Sequence, residues 1–287
     1  MPENPVGVIG AGTIGRGVAQ SLAQSGFAVS LIDISPEQLD SAMADIAQNL
    51  RLARLFSKHD GYPADAAEAA SVLGRISTSV SLDSVAAADF VIENVTENWD
   101  IKREVYLALD QICRPEAIFG VNTSAVPITR IASVTSRPAQ VVGMHFMNPV
   151  PLMASVEVIR GYFTSEETLL VAKNLLKRAG KEGIVVSDLP GFVTNRVLML
   201  TINEAICCIQ DQVSTATDID RIFKGCFGHK MGPLETADLI GLDTVLNSLT
   251  VMYESYRDCK FRPAPLLQKL VDAKQFGRKS GNGFYHY

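Results

Sequence analysis

The chain has little with which to hold a metal ion. Its four histidines are scattered, and its five cysteines (Cys113, Cys207, Cys208, Cys226, Cys259) include no CxxC pair. The same odd, unpatterned set argues against a disulfide framework, so reduced, mostly buried thiols in a cytoplasmic protein are expected. Excess positive charge is also missing. A net charge of −5 leaves no basic face for a nucleic-acid partner, although it says little about a small anionic substrate. No uninterrupted apolar stretch is long enough to span a membrane. Met1-Pro2-Glu3-Asn4 is polar and acidic where a secretory signal would be basic and then apolar. Internal repeats and low-complexity tracts are absent as well.

What the chain does have is length and apolar residues, 287 and 47% respectively, enough for one large or two ordinary domains. The first two thirds alternate apolar runs with amphipathic segments. Strands are expected at Val6–Ile9, Val29–Ile32, Phe90–Glu93, Ile118–Val121, Val141–Met144, Val156–Ile159 and Ile184–Val186. Helices are expected at Pro36–Leu55, Ile101–Ile112 and Glu166–Ala179, with an alanine-rich surface excursion from Ser57 to Leu73. That alternation implies an α/β fold, a doubly wound, mostly parallel sheet of Rossmann type over residues 1–187. After Ser187 the strand signal stops. Val193–Asp211, Ala216–Lys224, Leu242–Tyr256 and Ala264–Ala273 predict an all-helical C-terminal domain over residues 188–287. Leu198, Met199, Leu200, Ile202, Ile206 and Ile209 cover more than one helix face, which points to a buried helix or a subunit interface.

Gly10-Ala11-Gly12-Thr13-Ile14-Gly15 falls between the first strand and a helical run with Ile14, Val18 and Leu22 on one side. In that setting Gly10 permits the tight turn, Gly12 lets the backbone approach a pyrophosphate, and Gly15 lets helix and strand pack closely. The helix N-terminus then offers free N–H groups and a positive dipole end to phosphate. Asp33 ends the second strand, where a carboxylate takes the ribose hydroxyls and repels the extra phosphate of NADP. Ile34 and Ser35 supply no compensating cation, so NAD is the expected cofactor. The other reading of Asp33 is a helix cap before Ser35-Pro36-Glu37.

Val141-Val142-Gly143-Met144-His145 places a histidine at the end of an apolar strand, and strand C-termini in such sheets face the ligand crevice. Ser155-Val156-Glu157-Val158-Ile159 places a glutamate inside another apolar strand, where a carboxylate needs a partner. The prolines between them return the chain alongside, which makes His145 the partner. Such a pair suits general acid–base catalysis, with the carboxylate fixing the tautomer. From spacing alone, a hydrogen-bonded structural histidine fits as well.

Several segments, in order along the chain, carry a family likeness. They are Gly10–Gly15, Thr96-Glu97-Asn98 with Lys102, Asn122-Thr123-Ser124, His145-Phe146-Met147-Asn148-Pro149-Val150-Pro151 and Val156-Glu157-Val158-Ile159. Further on come Pro190-Gly191-Phe192-Val193-Thr194-Asn195-Arg196, Met231-Gly232-Pro233-Leu234-Glu235-Thr236-Ala237-Asp238 and Gly277-Arg278-Lys279-Ser280-Gly281-Asn282-Gly283-Phe284-Tyr285. With these the chain resembles the short 3-hydroxyacyl-CoA dehydrogenases, of 3-hydroxybutyryl-CoA dehydrogenase type. The resemblance implies an NAD-dependent oxidoreductase that interconverts 3-hydroxyacyl and 3-oxoacyl thioesters, with His145 as catalytic base and Glu157 as its partner. It implies that Ser124 and Asn195 hold the substrate. It also assigns Glu97, Lys102, Ser124, Asn148 and Lys279 to NAD, beside the glycine loop and Asp33. Without it, Glu97 and Lys102 read as a solvated pair at a helix start, Ser124 as a turn residue and Asn195 as a helix cap.

Relatives that use coenzyme A carry lysines after the second helix, where this chain has Leu55 and Phe56, with Arg51, Arg54 and Lys58 nearby. Met153-Ala154-Ser155 likewise replaces a basic-then-apolar lead into the glutamate strand. The expected partner is an acyl-CoA thioester. The alternative is a hydroxyacyl (glyceryl-type) group on an acyl carrier protein in polyketide extender-unit synthesis. A non-catalytic NAD-binding protein is a third reading. The apolar C-terminal helices and the resemblance together predict a homodimer.

Overall fold

Short runs of valine, isoleucine and leucine form the middle of an eight-stranded sheet in the computed structural model, which describes residues 5–56, 66–124 and 126–287. The strands are β1 (Val6–Ile9), β2 (Val29–Ile32), β3 (Ile76–Ser79), β4 (Phe90–Glu93), β5 (Ile118–Val121), β6 (Val141–His145), β7 (Ser155–Arg160) and β8 (Glu182–Ser187). Their order is β3-β2-β1-β4-β5-β6-β7-β8. β1, β2, β4, β5 and β6 are buried from end to end, as strands covered on both faces must be. The flanking helices are α1 (Thr13–Gln24), α2 (Pro36–Phe56), α3 (Ala66–Leu73), α4 (Trp99–Ile112), α5 (Ile128–Ala132) and α6 (Glu166–Arg178). One continuous core joins Val8, Leu31, Ile92 and Met144 of the sheet to Val18 and Leu22 of α1 and Leu175 of α6. The strand order reverses between β1 and β4, and such a switch point opens a crevice at the carboxyl ends of the strands.

Among the strands, one departs from the sequence expectation. β3 was not expected, because Ile76-Ser77-Thr78-Ser79 buries only its isoleucine and reads as polar loop. β6 and β7 pair antiparallel, with His145 opposite Glu157, while all other pairs are parallel. Of the segment from Ser57 to Leu73, α3 is helical; residues 57–65, Lys58 among them, lie outside the described residues.

The chain divides into two compact units between Asp188 and Leu189. The second is helical: α7 (Thr194–Gln210), α8 (Ala216–Phe227), α9 (Pro233–Ile240), α10 (Leu242–Tyr256) and α11 (Pro265–Asp272). Met199, Ile202 and Ile206 of α7 are buried against Leu234, Val245, Leu249 and Phe261. Two buried aspartates tie this unit together. Asp220 accepts the amides of Leu234 and Glu235 and the hydroxyl of Tyr285. Asp238 accepts the amides of Phe284 and Tyr285. A Cβ at Gly232 would fall 2.2 Å from Asp220 Oδ1, which explains a glycine before Pro233. All five cysteines are free, but only Cys113 is buried. Cys226 and Cys259 are exposed, which corrects the expectation of mostly buried thiols. Among the described residues no helix is long and apolar enough to cross a membrane.

Candidate active site

The turn from β1 into α1 has the geometry that its glycines predict. Gly10 has φ +90°, and a Cβ there would lie 2.7 Å from the Asn94 carbonyl oxygen. A Cβ at Gly15 would lie 1.8 Å from the Gly10 carbonyl oxygen, so strand and helix approach as closely as two backbones can. At Gly12 a Cβ would meet nothing within 4 Å. That open space fronts the N-terminus of α1, which has no side-chain cap and no acidic residue in its first turn. A pyrophosphate fits there, facing the helix amides, and a side chain at Gly12 would fill its place. Thr13 and Ile14 form that first turn, and Ala11 closes the loop.

Asp33 follows β2 and points back at this loop. Its Oδ2 accepts the Ala11 amide at 2.8 Å, and its Oδ1 accepts the Ser35 amide at 3.1 Å. The cap of α2 is Ser35, whose Oγ accepts the Gln38 amide, so the cap reading of Asp33 is overturned. Gly10, Gly12 and Asp33 line a cleft of about 510 Å³ together with Ile34, Val80 and Ile101. These are the parts an NAD adenosine and pyrophosphate require: a carboxylate for ribose, apolar faces for adenine, and bare backbone for phosphate.

At the same end of the sheet, β6 delivers His145. Its Nε2 lies 2.9 Å from Ser124 Oγ, and its Nδ1 lies 2.9 Å from Glu157 Oε2. The antiparallel register explains the second contact, since directly opposed residues share a face. An ionised Glu157 only accepts, so Nδ1 carries the proton and Nε2 is left as the basic nitrogen. The two side chains are 5% and 12% exposed, which shields the pair from water. Ser124 comes from the loop after β5. Phe146, next to His145, donates its amide to Asn122 Oδ1 at 3.1 Å and so ties that loop to β6.

Glu97 and Lys102 are not a solvated pair. Lys102 is fully buried on the inward face of α4. Its Nζ donates to both oxygens of Glu93 at 2.8 and 2.9 Å and to the Asn122 carbonyl at 2.9 Å, with Glu97 Oε2 at 3.9 Å. Burial pushes the Glu93 carboxyl above its ordinary range despite that lysine. Glu97 instead accepts from the Thr123 hydroxyl and the Val126 amide, bracing the Ser124 loop. Asn148 is exposed just after β6. Asn195 and Lys279 belong to the helical unit. Asn195 lies half-buried in the first turn of α7, whose cap position is Val193, so the helix-cap reading of Asn195 does not hold. Lys279 donates to Asp243 Oδ2 at 2.6 Å.

Two side chains that sequence reasoning passed over also touch this region. Asp188 accepts the amides of Ile128 and Thr129 and the Thr129 hydroxyl, fixing α5 beyond the Ser124 loop. Glu93, read only as a strand end, is the partner that holds Lys102 inside. The signal available for Glu93 was a carboxylate ending an otherwise apolar strand, the same signal that exposed Glu157.

A glycine-turn dinucleotide fold with an imidazole–carboxylate pair at its strand ends defines a class, the Rossmann-type dehydrogenases. Residues 5–189 match the 3-hydroxyacyl-CoA dehydrogenase NAD-binding domain, and residues 191–287 match the C-terminal domain of the same family. The chain is 47% identical over 287 residues to a probable 3-hydroxybutyryl-CoA dehydrogenase of Bacillus subtilis, covering 100% of this chain and 98% of that one. It is 44% identical over 282 residues to a 3-hydroxybutyryl-CoA dehydrogenase of Bradyrhizobium diazoefficiens, covering 98% and 94%. The crystal structure of (S)-3-hydroxybutyryl-CoA dehydrogenase from Ralstonia eutropha superposes with a TM-score of 0.94 at 42% identity, covering 99% and 98%. The chain belongs to the 3-hydroxyacyl-CoA dehydrogenase family.

Proposed function

We propose that this protein is an NAD-dependent 3-hydroxyacyl-CoA dehydrogenase acting on short substrates of the 3-hydroxybutyryl-CoA kind. The observation that carries the reading is the Ser124–His145–Glu157 chain of contacts, with two links of 2.9 Å, at the strand ends that also bear the dinucleotide cleft. The names of the relatives support the thioester substrate.

In oxidation, His145 Nε2 takes the proton of the C3 hydroxyl, and Glu157 stabilises the imidazolium that results. Bound at the Gly10–Gly15 loop and Asp33, NAD would supply the hydride acceptor for C3. In reduction, the imidazolium returns its proton to the developing alkoxide. Ser124 orients the hydroxyl, and we assign Asn195 to the substrate's carbonyl region. The Gly10–Gly15 loop and Asp33 hold the cofactor, and Glu97, Asn148 and Lys279 complete its binding, while the buried Lys102 acts on the site only through Glu93 and the Asn122 carbonyl.

Coenzyme A is the carrier that we favour over an acyl carrier protein. The contrary argument rests on residues 51–58. Lys58 and the side chains of Arg54, Leu55 and Phe56 lie outside what is described, and the names of the relatives support coenzyme A. We also propose a homodimer, a reading supported by apolar side chains exposed on the helical unit, Val197, Val213 and Phe227 among them. Loss of NADH absorbance with acetoacetyl-CoA tests the activity. An inert protein that still binds NADH would replace this reading with a non-catalytic one, and light scattering tests the dimer.

A further inference from the structure

Residues 146–154 join β6 to β7, and at their start the Phe146 amide is held by Asn122 Oδ1. Within them Val150–Leu152 makes one 3-10 turn. Its own backbone bonds are two, Leu152 N to the Pro149 carbonyl at 3.0 Å and a longer one from Met153 N to the Val150 carbonyl at 3.3 Å. Lys181, the residue before β8, reaches this turn: its Nζ donates to the Val150 carbonyl at 2.6 Å and to the Met153 carbonyl at 2.7 Å. The next amide, Glu182 N, donates to the Ala154 carbonyl at 2.8 Å. On the opposite side the turn presses on α1, where a Cβ at Gly17 would lie 2.9 Å from Val150 Cβ. The connector is thus gripped between the helix that follows the glycine loop and the start of β8.

Lys181 is 7% exposed, and its ammonium is met by these two carbonyls rather than by a carboxylate. Burial pushes that ammonium below the usual lysine range. A methionine would fill the same space without burying a charge. What the charge adds is two ion-to-carbonyl hydrogen bonds, stronger than neutral ones. The lysine is itself anchored: its amide donates to the Leu176 carbonyl at the end of α6, and Gly180 turns the chain with φ +69°.

We propose that Lys181 is a positioning residue for the reaction, acting through the connector to fix the fine side-chain geometry of His145 and Glu157, whose register the β6–β7 ladder sets. This rests on the acid–base role given to His145 above. The test compares Lys181→Met, which removes the donors, with Lys181→Arg, which keeps charge and donors. A cavity of about 280 Å³ lined by Lys181, Ala154, Ser21 and Gln24 gives the larger guanidinium room. With acetoacetyl-CoA and NADH, kcat of Lys181→Met is expected to fall about ten-fold or more. The pH profile of kcat/KM should move with it, and Lys181→Arg should recover most of the rate. A folded Lys181→Met protein with wild-type kcat and pH profile, changed only in Tm, would overturn the proposal. If that variant does not fold, Lys181→Leu, which also removes the donors in a smaller side chain, is read in the same way. If the wild type is inert on acetoacetyl-CoA, the functional reading fails separately. The clamp is then judged by NMR titration of the His145 ring nitrogens, where identical curves in wild type and variant would overturn it.

Discussion

Replacing Glu157 with glutamine keeps the shape of the His145 pair and removes its charge. Across the 2.9 Å contact, opposite charges with centres about 4 Å apart attract by about 4 kcal/mol at an effective dielectric near 20. The side chains are 5% and 12% exposed, so solvent screening takes a small share. A neutral amide retains a hydrogen bond of about 1 kcal/mol, which leaves a net loss of about 2–3 kcal/mol in imidazolium stabilisation. That corresponds to a ~30–150-fold fall in the proton-transfer rate. Glutamine can also turn its NH₂ toward Nδ1, forcing the proton onto Nε2, where it blocks the base and adds to the loss. The assay is kcat for 3-hydroxybutyryl-CoA oxidation across pH, the direction in which the imidazolium forms, with NADH affinity from fluorescence as the control. Affinity should hold, since Glu157 is not among the residues that line the dinucleotide cleft. A folded Glu157→Gln protein within about three-fold of wild-type kcat at every pH would refute the charge argument.

Gly12→Ala should leave Tm nearly unchanged, because its Cβ enters open space, yet weaken NADH binding; Gly15→Ala should fail to fold, with its Cβ 1.8 Å from a carbonyl oxygen. Equal Tm losses in the two variants would contradict this reading. Asp33→Ala should weaken NADH about ten-fold or more and narrow its advantage over NADPH, as fluorescence titration would show. Asp110 is pushed up by burial but more strongly held down by hydrogen bonds from Ser136 and Arg137, so its folded pKa lies below the ordinary 3.8. Its stabilisation is therefore complete above that value and disappears as pH falls through the folded pKa. Asp110→Asn should cost about 3 kcal/mol at neutral pH by stranding the buried Arg137, and should flatten the loss of stability in acid. Denaturant melts at neutral and acid pH check both parts.

The strands of the sheet were legible wherever both faces are covered, because Val-Ile-Leu runs such as Val29–Ile32 have few other homes. β3 was not, since an edge strand with one buried residue carries no period to read. His145 and Glu157 were legible as polar residues inside apolar strands, and the intervening prolines gave their antiparallel return. Without the family likeness Lys102 reads as solvated, because its partner, Glu93, lies on the preceding strand and only the packing of α4 brings them together. Lys181 and Asp188 left no trace because their partners are mainly backbone groups, which every residue has. Asn195 and Lys279 entered through family likeness alone.

The antiparallel meeting of β6 and β7 sets the kinds of length change that the chain tolerates. Val156 and Val158 flank Glu157, and successive residues of a strand face opposite ways. One residue inserted or deleted inside β7 would therefore put a valine before His145, while two would restore the parity of the faces. Residues 146–154 carry no such parity, and length there is limited by what Lys181 and Glu182 can still reach. The loss of the carboxylate opposite His145 by a frame slip is thus tied to the mispairing of a whole strand, which folding itself would reject.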